Sequence, residues 1–175
     1  NPLINSQSRL TITRIALGLS IGSWKMLLRL KARNHVDLLA LTPRAAAQLD
    51  GQYQDLLVDS ASKVLQNYWH KGGVVIVVGA VGAATRLVAP LLRSKEEDPA
   101  VLVIDSNGAN VVPLIGGHQA GAENLALQLA AELGGNAVLT GDSISQELIS
   151  LDSFGEMWGW QRTGHGSSWK QLMLH

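Results

Sequence analysis

One histidine stands where a strand-like run of apolar residues gives way to glycines. The apolar run Val111–Ile115 is followed by Gly116, Gly117 and His118. If His118 opens the first turn of a helix, the unpaired N–H groups of that turn point outward and favour a bound anion. The spacing therefore predicts a ligand site beside an imidazole that can accept a proton. A helix-terminal or core role for His118 is the alternative interpretation.

A second glycine-rich stretch follows the most strand-like run of the chain. Val74–Val78 consists only of β-branched residues, and Gly79 comes directly after it. A dinucleotide-binding G-x-G-x-x-G fingerprint starting at Gly79 would need two further glycines where the chain has valine and alanine, which disfavours a Rossmann-type cofactor. Gly79 and Gly82 still allow a ligand to approach the backbone, and Arg86 is placed to bind a carboxylate. An ordinary surface ion pair is the alternative for Arg86.

The composition narrows the class of partner. The chain has 175 residues with 46% apolar content, enough for one domain with a buried core. Its 14 basic and 14 acidic side chains cancel, so neither nucleic acid nor an anionic membrane is an expected partner. The absence of cysteine excludes disulfides and thiolate metal sites. The apolar run Val74–Ala84 is shorter than the about 20 residues of a membrane helix, and no signal-peptide pattern starts the chain. A soluble, cytoplasmic protein that binds a small molecule is expected.

Predicted strands alternate with predicted helices along most of the chain. The strands are expected over residues 10–17, 36–41, 74–78, 100–104, 111–115 and 136–140. The helices are expected over residues 20–33, 57–68 and 122–133, with a helical turn at 44–48, Asp59 or Ser60 as an N-cap, and a break at Pro90. Asp105–Gly108 has the composition of a hairpin turn, so the strand after it should run antiparallel.

This alternation predicts a three-layer α/β/α domain with a mostly parallel, mixed sheet. Ligands of such domains bind where strand C-termini meet helix N-termini, and both glycine-rich junctions are expected on that one edge. Residues 1–8 are expected to be a flexible lead-in and residues 9–142 the domain. Residues 143–175 carry Phe154, Trp158 and Trp160, which are expected to pack on the domain or on a partner.

Several blocks of residues, in this order and spacing, resemble the N-terminal region of the CbiG proteins of cobalamin biosynthesis. The blocks are Gly79–Leu92, Asp98–Asp105, Pro113–His118, Gly121–Ala126 and Leu133–Gly134. The resemblance implies action on cobalt-precorrin-5A, with water opening the ring-A lactone and acetaldehyde leaving. It also implies no cofactor of the protein's own, because the cobalt is part of the corrinoid substrate.

Some relatives in this family look like fusions to the precorrin-3B C17-methyltransferase. The alternative function is therefore a non-catalytic corrinoid-binding or docking module of such a fusion, and S-adenosylmethionine would be a cofactor only in that case. A second domain of the same pathway, fused or associated, is a possible partner.

The resemblance gives the candidate residues their roles. Lactone hydrolysis needs a base for water and donors for an oxyanion, and His118 with the amides near Gly116 and Gly117 fits both needs. Asp105 or Asp142 is expected to orient the imidazole, although Asp105 also suits a turn. Substrate contacts are expected from Gly79, Gly82, Arg86, Gly116, Gly117, Glu123 and Asn124. No protein metal site is expected, since a helix containing both His118 and Glu123 would point them about 140° apart.

Overall fold

The β-branched run at the centre of the sequence forms the middle of a seven-stranded sheet. A computed structural model describes residues 14–117 and 120–141 of the chain. The strands are β1 (Arg14–Gly18), β2 (Leu38–Leu41), β3 (Leu56–Val58), β4 (Val74–Val78), β5 (Ala100–Ile104), β6 (Asn110–Ile115) and β7 (Asn136–Ala137). The helices are α1 (Trp24–Ala32), α2 (Pro43–Ala46), α3 (Ala61–Tyr68), α4 (Val81–Val88) and α5 (Ala122–Leu133).

The sheet is mostly parallel and has the order β3-β2-β1-β4-β5-β6-β7. The first five strands of this order run parallel, with Ile76 of β4 between Ala16 of β1 and Leu102 of β5. Strand β6 is antiparallel to β5, and β7 is parallel to β6. The predicted mixed sheet and the predicted antiparallel strand are both confirmed.

Alternate residues of the strands enter two separate cores, because successive side chains of a strand point to opposite faces. On one face, Ile76 and Leu102 pack with residues of α1 and α5, including Leu27 and Leu129. On the other face, neighbouring strand residues such as Val77 pack with α3 and α4. Helices thus cover both faces, and the predicted three-layer fold is confirmed.

Helix boundaries follow from capping side chains and from proline. The hydroxyl of Ser60 accepts a hydrogen bond from the backbone N–H of Lys63, which confirms the predicted N-cap of α3. Beyond α4 the chain continues as a short 3₁₀ helix, Ala89–Leu91, with Pro90 inside its first turn. This fresh start confirms the break that was predicted at Pro90.

Two predicted elements at the edges of the sheet are wrong. Leu57 lies on strand β3 and not on a helix, because the cap at Ser60 places everything before it outside α3. The last strand ends at Ala137 and not at Thr140. The backbone N–H of Val138 still donates to Val111, but the next bond of a parallel ladder would come from the N–H of residue 113, and Pro113 has none.

The start of one predicted helix shifts, and the predicted place of His118 in the first turn of another helix is wrong. The segment expected to be helical from residue 20 begins as a 3₁₀ turn, Ile21–Ser23, before α1. Helix α5 begins only at Ala122, after Gly121 in the left-handed conformation at φ 77°. His118 is therefore four positions ahead of the helix whose first turn it was predicted to occupy.

A buried histidine joins α5 to the loop that follows α1. The Nε2 atom of His35 lies 2.6 Å from a carboxylate oxygen of Glu132, and only 6% of His35 is exposed. Arg33 lies 3.8 Å from the same carboxylate. The hydrogen bond with His35 is the main cause that holds the pKa of Glu132 below its ordinary value of 4.5.

In the described ranges, no helix is long and apolar enough to cross a membrane. The chain divides into two units, Asn1–Thr140 and Gly141–His175. The predicted lead-in and the predicted aromatic segment lie outside the residues that the structure describes.

Candidate functional site

The two glycine-rich junctions lie at opposite edges of the sheet. We call the edge where β1, β4 and β5 end the carboxyl edge, and the edge where they begin the amino edge. Gly79 is at the carboxyl edge, where its N–H donates to Ile104 at the end of β5. A Cβ added to Gly116 would lie 3.3 Å from the Cα of Ala100, the first residue of β5, so Gly116 is at the amino edge.

This separation overturns the expectation of one shared edge. Each junction does connect the end of a strand to the start of a helix, as predicted. Strand β6, however, runs against its neighbour, so its C-terminal end arrives where β4 and β5 begin. Four residue steps along β5 at about 3.3 Å each separate the two edges by roughly 13 Å.

At the carboxyl edge, Gly79, Gly82 and Arg86 have different surroundings. A Cβ on Gly79 would approach Leu19 to 3.0 Å, whereas a Cβ on Gly82 would meet nothing within 4 Å. Arg86 is exposed in the last turn of α4 and forms no ion pair with any acidic residue of the described ranges. The surface ion pair considered for Arg86 is therefore not seen there.

Asp105 holds the turn between β5 and β6 at the same edge. Its carboxylate accepts hydrogen bonds from the backbone N–H and the side-chain amide of Asn110, at 3.0 and 2.9 Å. The carbonyl of Asp105 also accepts the N–H of Gly108. These contacts are those of a turn-forming aspartate, and Asp105 lies at the other end of the sheet from Gly117.

At the amino edge, close approaches explain the two glycines that precede His118. Gly116 has φ +75°, and a Cβ there would lie 2.7 Å from the Cβ of Ala120. A Cβ on Gly117 would lie 3.2 Å from the carboxylate of Glu123. The positive φ and the short contact require glycine at Gly116, whereas at Gly117 the added Cβ would meet only the flexible side chain of Glu123.

The first amides of α5 are already engaged, contrary to the prediction of an open anion site. The N–H of Ala122 donates to the carbonyl of Gly116 at 3.2 Å, and the N–H of Glu123 donates to that of Gly117 at 3.0 Å. Glu123 also places a carboxylate beside Gly117. Asn124 is exposed on the same first turn. This helix start is thus less suited to a bare anion than its sequence suggests.

A cavity of about 400 Å³ opens at the amino edge. It is lined by Lys71, Gly72, Lys95, Glu96, Asp98 and Ala120. Ala120 belongs to the same connection between β6 and α5 as His118, so the cavity adjoins the segment singled out in the sequence. The cavity is the candidate functional site.

Asp98 shapes the wall of this cavity. It is only 7% exposed, and its carboxylate accepts the backbone N–H of Arg93 at 3.0 Å and the indole N–H of Trp69 at 3.1 Å. The N–H of Asp98 in turn donates to the carbonyl of Ser94. Asp98 therefore ties the loop before β5 to the end of α3.

Sequence reasoning missed the cavity-lining side chains. The segment from Lys95 to Asp98 has the pattern of a charged surface connection, and Lys71 has that of a residue just beyond a helix. The parallel pairing of β4 with β5 brings the two segments together, because the N–H of Ala100 donates to the carbonyl of Gly73. A prediction that β4 and β5 are neighbouring parallel strands would have placed Lys71 close to the segment from Lys95 to Asp98.

His118 and Asp142 lie outside the described residues, so their predicted roles stay predictions. Within the described ranges no three acidic or histidine side chains form a group that could hold a metal ion. The angular argument against a metal site assumed that His118 and Glu123 share one helix, and α5 does not extend back to His118.

Comparisons with known proteins converge on one family. Residues 63–143 match the family described as cobalamin synthesis G N-terminal. The chain is 42% identical over 91 residues to the cobalt-precorrin-5A hydrolase of Priestia megaterium, which covers 52% of this chain and 24% of that protein. It is 43% identical over 79 residues to the cobalt-precorrin-5A hydrolase of Salmonella typhimurium, which covers 45% of this chain and 22% of that protein.

A solved structure supports the fold. The crystal structure of a cobalamin biosynthesis protein G homolog from Sulfolobus solfataricus superimposes with a TM-score of 0.51 at 22% identity, covering 82% of this chain and 43% of that one. The resemblance to the CbiG N-terminal region that the sequence blocks predicted is confirmed over residues 63–143. The chain spans about a quarter of the length of the curated relatives that it matches.

Proposed function

We propose that this chain, whose residues 63–143 belong to the cobalamin synthesis G N-terminal family, takes part in the hydrolysis of cobalt-precorrin-5A. The observation that carries the proposal is the identity of 42% with a cobalt-precorrin-5A hydrolase. All the residues that line the cavity at the amino edge fall within the range that matches the family. The family likeness and the candidate site therefore concern the same part of the chain.

The proposed chemistry is the addition of water to the lactone carbonyl of ring A. The new bond joins the water oxygen to the carbonyl carbon, and the bond from that carbon to the ring oxygen breaks. The lactone becomes a carboxylate and a hydroxyl group on the two-carbon fragment. The hydroxyl loses its proton and its oxygen becomes the carbonyl of acetaldehyde as the carbon–carbon bond to the macrocycle breaks. The electron pair of that bond stays on the macrocycle, which takes up a proton. We assign the removal of the proton from water to His118, which follows Gly117 in the chain, and the orientation of its imidazole to Asp142.

The partner in this proposal is the small-molecule corrinoid itself. Cobalt enters as part of the substrate, so the reaction needs no cofactor held by the protein, no nucleic acid and no membrane. We place the protein in the cytoplasm as part of the same proposal, because an intermediate with several carboxylates does not cross a lipid bilayer unaided. Immunoblotting of cell fractions tests this location.

The decisive test measures acetaldehyde released from cobalt-precorrin-5A by the wild type and by His118→Ala. Loss of a general base should lower the rate by about 10²–10⁴-fold, while the melting temperature stays near that of the wild type. A variant with a lower melting temperature and normal turnover per folded molecule would make His118 a structural residue. If the chain alone releases no acetaldehyde, the same comparison is made in the complete gene product.

A further inference from the structure

Two lysines line the cavity without a described acidic partner. Lys71 stands between α3 and β4, and Lys95 stands in the loop before β5. Both side chains are exposed, and neither ammonium group forms an ion pair with a carboxylate of the described ranges. Each therefore keeps a positive charge available at the mouth of the cavity.

The two acids in the lining do not play equivalent roles. Asp98 is buried, and its carboxylate is committed to the N–H groups of Arg93 and Trp69. Glu96 is exposed and has no hydrogen bond to a described residue that would hold it in place. Among the lining residues, the electrostatic field at the cavity mouth therefore comes from two positively charged lysines and one exposed carboxylate, that of Glu96.

We propose that Lys71 and Lys95 together bind a peripheral carboxylate of the corrinoid substrate, and that they orient the ring at the amino edge. This inference rests on the proposed function, since the ligand is the one named there. Charge-assisted hydrogen bonds from ammonium groups to a carboxylate are stronger than neutral ones. Both lysines border the same cavity as Ala120, whereas Arg86 is not among its lining residues.

A corrinoid with blocked axial positions isolates this contact. Dicyanocobyrinic acid carries free peripheral carboxylates, and its fully methylated ester carries none. Cyanide on both faces of the cobalt prevents a histidine from binding the metal. Binding of each probe to the full chain is measured by titration calorimetry at low and at high salt.

The variants are Lys71→Gln, Lys95→Gln, the double variant and Glu96→Gln. The matched control is Lys25→Gln, an exposed lysine in the first turn of α1, which begins beyond the carboxyl-edge end of β1. The double variant should bind the acid about tenfold more weakly or worse, in line with the loss of charge-assisted contacts. Glu96→Gln should tighten binding by about twofold, because a repulsive charge is removed. Lys25→Gln should match the wild type, and the ester should bind weakly to every variant.

Three results would overturn the lysine assignment: wild-type affinity in the double variant, an equal loss in Lys25→Gln, or equal binding of the acid and the ester. A wild type that binds no dicyanocobyrinic acid would overturn it as well. Acetaldehyde release from cobalt-precorrin-5A is assayed separately. If acetaldehyde release is normal and any of these binding results is found, the lysine assignment is refuted and the hydrolase proposal is retained. Melting temperatures confirm that each variant is folded.

Discussion

The two glycine-rich junctions look alike in the sequence and differ in the structure. Gly79 and Gly82 follow a parallel strand and stand at the carboxyl edge, beside a hairpin turn held by Asp105. Gly116 and Gly117 follow an antiparallel strand and stand at the amino edge, beside a cavity with a buried aspartate in its wall. Because β6 runs antiparallel to β5, the junction at Gly116 and Gly117 lies near the charged side chains of the loops before β4 and β5.

The two aspartates at the ends of β5 offer the strongest test of this contrast. Asp98→Ala should lower the free energy of unfolding by about 2–4 kcal/mol, because two donors in a buried position lose their acceptor. Asp105→Ala should cost only about 0.5–1.5 kcal/mol, since water can replace the acceptor at an exposed turn. Chemical denaturation of both variants measures the difference. Equal decreases in the free energy of unfolding would mean that the two aspartates stabilise the two ends of β5 to the same extent.

The glycines themselves provide the next test. Gly116→Ala should destabilise the fold by about 1–3 kcal/mol, because an alanine at φ +75° is strained and its Cβ meets Ala120. Gly82→Ala is the matched control, since its Cβ would have space within a helix. It should be neutral or stabilising by about 0.4–1 kcal/mol. A destabilised Gly82→Ala variant would show that the carboxyl-edge junction is also tightly constrained.

The smallest effect concerns the far end of α5, the helix that the amino-edge junction begins. Because the folded-state pKa of Glu132 is lowered, the pair with His35 stabilises the fold above pH 4.5 and loses its effect as the pH falls through the lower, folded-state pKa. Thermal melting between pH 3 and pH 7 should show this decline. Glu132→Gln should flatten the same part of the pH curve.

A curve with the same slope in Glu132→Gln would place the acid sensitivity elsewhere in the chain. Hydrogen exchange at the two ends of α5 adds a spatial readout. Acid should first expose the amides near Glu132 and leave those of Ala122 and Glu123, which bond to the glycine carbonyls, protected. Simultaneous loss at both ends would show that the helix responds as one unit.

Features that depend on short stretches of sequence were predictable. The β-branched run Val74–Val78 marked the central strand, Ser60 marked the start of α3, and Asp105–Gly108 marked the turn that reverses the chain. The turn at Asp105–Gly108 also implied that the two glycine-rich junctions lie at opposite edges of the sheet. An antiparallel β6 must end where its partner begins, and that consequence was missed.

Features that depend on long-range register were not predictable. Lys71 and Lys95 are 24 positions apart in the sequence and share one cavity because β4 pairs with β5. Strand β3 is three residues long, too short for its alternation to be distinguished from the stripe of the following helix. The roles of His118 and Asp142 remain predictions from the family resemblance.

Pro113 has a consequence for how the protein avoids unwanted association. Beyond Val111, no described strand pairs with the outer side of β6, so this half of the strand is an edge of the described sheet. Such edges recruit strands from other molecules and seed aggregates. The proline removes one donor from the edge, and the irregular register between Pro113 and Ile115 interrupts its regular spacing. The same irregular stretch that leads into the glycines therefore also guards the sheet against intermolecular pairing.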